Sequence, residues 1–140
     1  MSIEANKEIV RRYQEAYNTN NLDALDEVVA PDFKTPGMLP GFGQGLAGAK
    51  ELHRFTVDVW SNAHVAIEDM IAEGDYVVAR ITMSATPVKP AFGVTPNGKS
   101  FKISGMYRVR IENGKIVEHL GIEDALGIMQ QMGLLPSPGL

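Results

Sequence analysis

The sequence near the C-terminus reads Asn113-Gly114-Lys115-Ile116-Val117-Glu118-His119-Leu120-Gly121-Ile122-Glu123-Asp124-Ala125-Leu126-Gly127, and it sets the architecture of the chain. Asn-Gly predicts a two-residue hairpin turn, because both residues tolerate the positive φ of a type I′ turn. From Asp124 onward, Leu126, Met129 and Met132 recur every third position, which predicts a helix. The chain is therefore expected to end in a hairpin, a long strand and a helix.

Asp124 has two interpretations from its local sequence. Asp is a favoured N-cap residue, and the local pattern favours this role. Its neighbours Ile122, Leu126 and Ile128 are apolar, so it is alternatively a carboxylate that points into an apolar space. Desolvation would then raise its pKa, and such a carboxyl can move protons at neutral pH without a metal or cofactor.

Upstream of this stretch, helices come first and long strands follow. Apolar spacing and turn signals predict helices at 3–18, 22–30 and 49–60 and strands at 32–35, 64–72, 75–87, 99–111 and 115–123. This order favours an α+β fold in which a curved, mostly antiparallel sheet wraps around the N-terminal helices. Such a sheet can leave an apolar hollow at its open end, where small molecules bind.

We expect a single domain over residues 1–135 and a C-terminal tail at 136–140. Segment 36–48 holds two Pro and five Gly, but also four large apolar residues. Residues 36–46 are therefore expected either to cover a pocket as a lid or to make an oligomer contact, and the sequence favours neither.

Composition excludes several classes of function. The formal net charge is −4 and no run of Lys or Arg is present, so neither nucleic acid nor a membrane surface is an expected partner. No apolar run approaches the ~20 residues of a membrane span. The chain has no Cys, which excludes disulfides and thiolate catalysis and leaves the cytoplasm as the default location.

The chain carries no standard metal or cofactor motif, so we expect neither group. His53, His64 and His119 are too far apart to form a helical metal pair. Dinucleotide-binding and serine hydrolase glycine patterns are also absent. His119 is expected to point away from Leu120, toward solvent or a partner subunit.

Aromatic residues offer the walls of a binding site. Tyr13 and Tyr17 lie one helical turn apart, and Tyr107 falls on the apolar face of its strand. Their hydroxyls can donate a hydrogen bond to a ligand carbonyl or an enolate. Alternatively, they are ordinary core tyrosines whose hydroxyls hydrogen-bond to the protein backbone. Trp60 is expected in the core or in the wall of the pocket.

Several stretches together resemble the SnoaL-like polyketide cyclases, a family of the nuclear transport factor 2-like superfamily. The similar stretches are Gly114 to Leu120 and Asp124 to Gly133 at the C-terminus, Ala72 to Arg80, Thr95 to Lys99, and the first helix from Asn6 to Asn18. The similarity runs in order over nearly the whole chain.

This resemblance implies a cone-shaped α+β barrel that forms a homodimer or homotetramer through the outer face of its sheet. It implies an aldol-type ring closure of a small apolar carbonyl compound without a cofactor, with Asp124 as acid and base. With the resemblance, the cavity-facing interpretation of Asp124 is preferred to the cap. The residues expected to bind the substrate are Tyr13, Tyr17, Phe33, Phe42, Trp60, Tyr107 and Leu120.

Three positions depart from the family pattern and keep other functions open. Leu120 replaces a frequent Trp, Thr35 a frequent His, and Ala85-Thr86-Pro87 a Gly-Thr-His sequence. These replacements make the pocket less polar, which favours a non-catalytic binding or carrier protein as the alternative. A third alternative is a steroid isomerase-like or epoxide hydrolase-like enzyme. The latter needs a second carboxylate or an Arg in the cavity; Glu68 and Asp69 are the nearest strand candidates, and at least one of them should face water.

Overall fold

The structure, a computed structural model, describes residues 2–36 and 41–135. Its elements are α1 (Ile3–Asn18), a short 3₁₀ helix (Leu22–Glu27), β1 (Val29–Lys34), α2 (Gly45–Val59), β2 (Trp60–Glu73), β3 (Tyr76–Pro87), β4 (Phe101–Glu112), β5 (Lys115–Glu123) and α3 (Ala125–Gln131). The predicted tail at 136–140 and part of the predicted lid, residues 37–40, lie outside the described residues.

The five strands form one sheet in the order β1-β5-β4-β3-β2. Neighbouring strands are antiparallel except β1 and β5, which are parallel. Helix α1 packs mainly against β2, and α2 packs against β1 and β2. The predicted fold is confirmed: a curved, mostly antiparallel sheet wraps around the N-terminal helices. β1 and β2 remain edge strands, so the sheet is not closed into a complete barrel.

The C-terminal hairpin and strand are confirmed as predicted. Asn113 and Gly114 have φ values of 52° and 77°, the positive φ at both central positions that a type I′ turn requires. Strand β5 covers the predicted residues 115–123, and α3 begins directly after Asp124.

The predicted second helix is wrong beyond Glu27, because Val29 and Ala30 belong to strand β1. Pro31 lies inside that strand instead of ending a helix. A proline without an N–H is tolerated there because β1 is an edge strand. Helix α2 also ends one residue earlier than predicted, so that Trp60 begins β2.

The buried apolar residues form two clusters. The larger core cluster joins α1 and β1 to the inner faces of β3, β4 and β5, with Val10, Val77 and Val109 among its fully buried members. The smaller core cluster lies at the other end of the sheet, where α3 packs, and includes Trp60 and Phe101. Among the described residues, no helix is long and apolar enough to cross a membrane.

Candidate functional site

A cavity of about 190 Å³ lies where the two core clusters meet, since its wall takes residues from both. Side chains of α1, α2 and all strands except β1 contribute to it. The lining residues are Tyr13, Gln14, Tyr17, Asn18, His53, Thr56, Trp60, Ala63, His64, Val65, Ile81, Met83, Met106, Tyr107, His119, Gly121 and Glu123.

Helix α1 supplies one side of the cavity, because Tyr13, Gln14, Tyr17 and Asn18 recur on one helical face. The amide of Asn18 holds this helix on β2. Its Nδ2 donates to the backbone oxygen of Val65 at 2.8 Å, and its Oδ1 accepts from the backbone N–H of Val65 at 3.1 Å. This pair of bonds fixes the distance between the helix and the sheet.

Three tyrosines form the inner wall. The ring of Tyr13 lies edge-on to the rings of Tyr17 and Tyr107, at centroid distances of 5.0 and 6.0 Å. The hydroxyl of Tyr107 donates to Oε1 of Gln14 at 3.1 Å. Burial raises the pKa of Tyr107 and raises the pKa of Tyr17 to about 12, so both phenols keep their protons at neutral pH.

A β-bulge in β5 determines which of its side chains enter the cavity. Ile111 of β4 pairs with Ile116, but Arg110 pairs with Glu118, so Val117 is an extra residue on β5. An extra residue reverses the alternation of faces beyond it. Ile116 is buried in the core, and beyond the bulge the inner positions are 119, 121 and 123 instead of 118, 120 and 122.

His119 therefore lies in the cavity wall, and the expectation that it points to solvent or a partner is wrong. Its ring lies 5.0 Å from that of Tyr107 and 5.9 Å from that of Tyr13. Burial lowers the pKa of His119 to about 4, so the imidazole is neutral at pH 7. A neutral imidazole can donate or accept one hydrogen bond without adding charge to the cavity.

Two glycines make room for polar groups on the inner face of the sheet. A Cβ atom on Gly121 would lie 3.2 Å from Cε1 of His119. A Cβ on Gly105 would lie 3.4 Å from Cγ of Glu123, which places the Glu123 side chain over the inner face of β4. Although Glu123 is exposed by surface area, the protein around its carboxyl raises its pKa above the ordinary value by desolvation.

Trp60 lines the opposite part of the cavity with an unused hydrogen-bond donor. The side chain is 8% exposed and packs edge-on against Phe92 and Phe101, at 5.0 and 5.1 Å. Its buried indole Nε1 has no hydrogen-bond partner among the described residues. An indole N–H that is buried without a partner is costly, and a ligand can accept a hydrogen bond from it only if neighbouring side chains move, because the nitrogen has almost no accessible surface.

The structure brings together four of the predicted substrate-binding residues, namely Tyr13, Tyr17, Trp60 and Tyr107. The other three do not line the cavity. Phe33 is buried in the larger core cluster, because it lies on the inner face of β1. Phe42 packs on Phe55 at 5.7 Å, outside the cavity. Leu120 is 39% exposed on the outer sheet face, because the bulge turns it outward.

Asp124 is exposed and caps α3, so the expectation that its carboxyl points into an apolar space is wrong. Its Oδ1 accepts from the backbone N–H of Gly127 at 2.8 Å. The strand ends at Glu123, and α3 begins directly after Asp124. Its catalytic role, implied by the resemblance, stays a prediction that none of its described contacts supports.

Among the cavity residues not predicted from the sequence pattern are His119, Glu123, Gln14 and Asn18. His119 and Glu123 are not predicted because of the bulge. Strict alternation from Ile116 would place Leu120 on the inner face and positions 119 and 123 on the outer face. The positions of Gln14 and Asn18 in the cavity wall could have been predicted, since each residue directly follows one of the tyrosines on α1. No group of His, Asp and Glu suited to a metal ion occurs within the described part of the chain.

A second depression lies on the surface between the 3₁₀ helix, β1 and α2. It is larger, at about 340 Å³, but it is an open groove, and its lining residues are Asp26, Pro31, Leu46, Ala47, Lys50 and Arg54. The ammonium of Lys50 already pairs with Asp26 at 2.7 Å. The smaller cavity, with its buried polar side chains, is the better candidate for a functional site.

The family model of the SnoaL-like polyketide cyclases matches residues 7–132. The chain therefore belongs to the SnoaL-like polyketide cyclase family.

Individual relatives and solved structures agree with this family. The aklanonic acid methyl ester cyclase DnrD of Streptomyces peucetius is 28% identical over 129 residues, which cover 90% of this chain and 89% of the relative. The structure of TsrD from Streptomyces laurentii superimposes with a TM-score of 0.86 at 26% identity, covering 96% of this chain and 99% of TsrD. The structure of IdmH from Streptomyces antibioticus superimposes with a TM-score of 0.80 at 27% identity, covering 91% of this chain and 98% of IdmH.

Proposed function

We propose that this protein is a cofactor-independent cyclase that closes a ring by an aldol-type addition within a small, neutral carbonyl compound. The observation that carries this proposal is the cavity, which combines an apolar wall with several hydrogen-bonding groups that are uncharged at neutral pH. The family supports it, because the relatives named above include a polyketide cyclase.

The uncharged donors suit the charge that develops in such a reaction. Removing a proton next to a carbonyl places negative charge on oxygen, and hydrogen-bond donors in a site with little water stabilise that charge. The indole N–H of Trp60 has no hydrogen-bond partner among the described residues, and it takes this role if a shift of the neighbouring side chains uncovers it. The neutral ring of His119 can contribute a second donor.

The charges of the residues that line the cavity favour a neutral substrate over an anionic one. No Lys or Arg occurs among the residues that line the cavity, and the acidic Glu123 is one of them. A carboxylate buried there would have no cation to pair with, which is unfavourable by several kcal/mol. DnrD is named for a methyl ester, in which the acid of its substrate is already neutral.

Methyl benzoate and benzoate form a matched pair of probes for this proposal. Trp60 is the only tryptophan, so one indole N–H peak in a ¹⁵N-correlated NMR spectrum reports on the cavity. We expect the ester to move this peak and to bind at least about tenfold more tightly than the carboxylate at pH 8. Equal binding of both probes, or none of the ester, contradicts the proposal.

A carrier protein that binds the same compound without chemistry is the alternative. The exposed position of Asp124 favours it, because the acid implied by the resemblance is outside the cavity. Turnover of a bound carbonyl compound separates the two functions. A carrier returns it unchanged, whereas a cyclase releases a ring-closed isomer of identical mass.

We also propose that the protein forms a homodimer through the outer face of its sheet. Its proposed location remains the cytoplasm. Met106 and Ile122 pair across β4 and β5 and are 52% and 74% exposed, and Leu120 lies beside them. A second copy would cover this apolar patch. We expect Ile122→Lys to convert a dimer to a monomer in sedimentation equilibrium; a wild type that is already monomeric contradicts this assembly.

A further inference from the structure

We propose that Glu123, and not its neighbour Asp124, is the carboxyl group that moves the proton in this cavity. This inference rests on the proposed function and assigns one of its catalytic residues. Glu123 lines the cavity, and its Cγ lies beside Cγ1 of Ile81 over the inner face of Gly105, each 3.4 Å from where a Cβ on that glycine would stand. Asp124 is the next residue along the chain, but its carboxyl caps α3.

The assignment follows from the end of β5. The bulge at Val117 places positions 119, 121 and 123 on the inner face. The strand then stops at Glu123, and the backbone N–H of Asp124 donates to the backbone oxygen of Ser104 at 3.2 Å. The two adjacent carboxylates therefore lie in different surroundings: Glu123 in the cavity wall and Asp124 at the N-terminus of α3.

Glu123 is also the one carboxylate among the residues that line the cavity. The other titratable groups of the wall are Tyr13 and Tyr17 on α1, His53 on α2, His64 on β2, Tyr107 on β4 and His119 on β5. The phenols hold their protons too tightly to act as bases at neutral pH. Burial lowers the pKa of both His119 and His53, which makes these imidazoles weaker bases than usual, and Glu123 adds the one carboxylate to this set of groups.

The step balances without any further reactant. The Glu123 carboxylate removes a proton from a carbon next to a carbonyl, which leaves an enolate and a neutral carboxylic acid. The enolate carbon attacks a second carbonyl carbon of the same molecule, forming the C–C bond and an alkoxide. The alkoxide takes the proton back from Glu123, which restores the carboxylate and yields the hydroxylated ring.

The test uses β-tetralone, a small neutral ketone with an exchangeable C–H next to its carbonyl. Its deuterium exchange in deuterium oxide, followed by proton NMR, measures proton removal without requiring the natural substrate. Glu123→Gln and Asp124→Asn are matched amide substitutions at adjacent residues. We expect E123Q to lose about 10²-fold or more of the protein-catalysed rate, the usual effect of removing a general base, and D124N to retain it.

Two further measurements separate a chemical role from a structural one. Glu123→Asp keeps the carboxylate and should recover part of the rate that E123Q loses. The wild-type rate should rise with pH through a midpoint above that of an ordinary glutamate, because burial raises the pKa of Glu123, and E123Q should lack this rise. Circular dichroism of each variant checks that the fold is retained.

The outcomes distinguish this inference from the proposed function. If the Trp60 indole peak does not respond to β-tetralone, the ligand cavity and the role of Glu123 are both wrong. If the ketone binds but wild type and E123Q exchange it equally, only the role of Glu123 is wrong. A loss of rate in D124N with E123Q unaffected would instead support the role implied for Asp124 by the resemblance.

Discussion

The two faces of β5 differ in nearly every physical property. The inner face carries Ile116, His119 and Glu123, which meet the core or the cavity. The outer face carries Glu118 and Leu120, of which Glu118 pairs with the guanidinium of Arg108 at 2.8 Å. The inner face holds an imidazole that is neutral at pH 7, and the outer face holds the Arg108–Glu118 ion pair.

One extra residue separates these faces. Ile116 and Ile122 are an even number of residues apart, so regular alternation would place them on the same face. Instead Ile116 is fully buried and Ile122 is 74% exposed. The bulge at Val117 thus decides which residues can meet a ligand, although it changes no residue type. Four predictions test this comparison.

The largest expected effect is on stability. Ile116→Ala should lower the free energy of unfolding by about 2–5 kcal/mol, because it leaves a hole in the packed core. Ile122→Ala should change it by no more than about 0.5 kcal/mol in the monomer. Urea unfolding at several protein concentrations measures both and separates any contribution from association. Equal effects would mean that the two isoleucines share a face and that the bulge is absent.

The second effect concerns the pH dependence of stability. His119 has a pKa of about 4 in the folded protein and 6.5 as its ordinary value, so the unfolded chain binds more protons between these pH values. Stability should therefore be complete above about pH 6.5 and fall as the pH is lowered to 4, by up to about 3 kcal/mol from this group.

NMR titration of the His119 ring checks this directly, and unfolding of His119→Phe between the same pH values provides the control. A His119 that titrates near its ordinary value would show that the inner face of β5 is open to water, which contradicts the contrast between the two faces.

The third effect is on ligand binding. A side chain at Gly121 would enter the cavity beside His119, so Gly121→Val should weaken methyl benzoate binding by about tenfold or more. Leu120→Val, one residue away on the outer face, should leave the affinity unchanged. The Trp60 indole peak measures both, and a loss of binding in Leu120→Val with Gly121→Val unaffected would reverse the assignment of the faces.

The smallest effect tests the boundary of the strand. Asp124→Ala removes the cap of α3 and should lower the free energy of unfolding by about 1 kcal/mol. Asp124→Ser keeps a hydrogen-bond acceptor at the N-cap and should recover most of this loss in the same urea titration. If alanine has no effect, the hydrogen bond to Gly127 does not stabilise the helix.

Much of the fold could be predicted because its signals are local. The Asn113-Gly114 turn and the apolar stripe of α1 depend on residues a few positions apart. The second helix was predicted too long because β1 exists only through its pairing with β5. All three cavity tyrosines and Trp60 could be predicted, since aromatic residues on apolar faces usually lie inside.

By itself the amino-acid sequence determined the class of fold, the family and the types of residue available for chemistry. Only the tertiary structure decided which of them meet in the cavity. The reason is that alternation has a period of two, so a single unpaired residue reverses every position after it. That reversal placed His119 and Glu123 inside and left Leu120 outside.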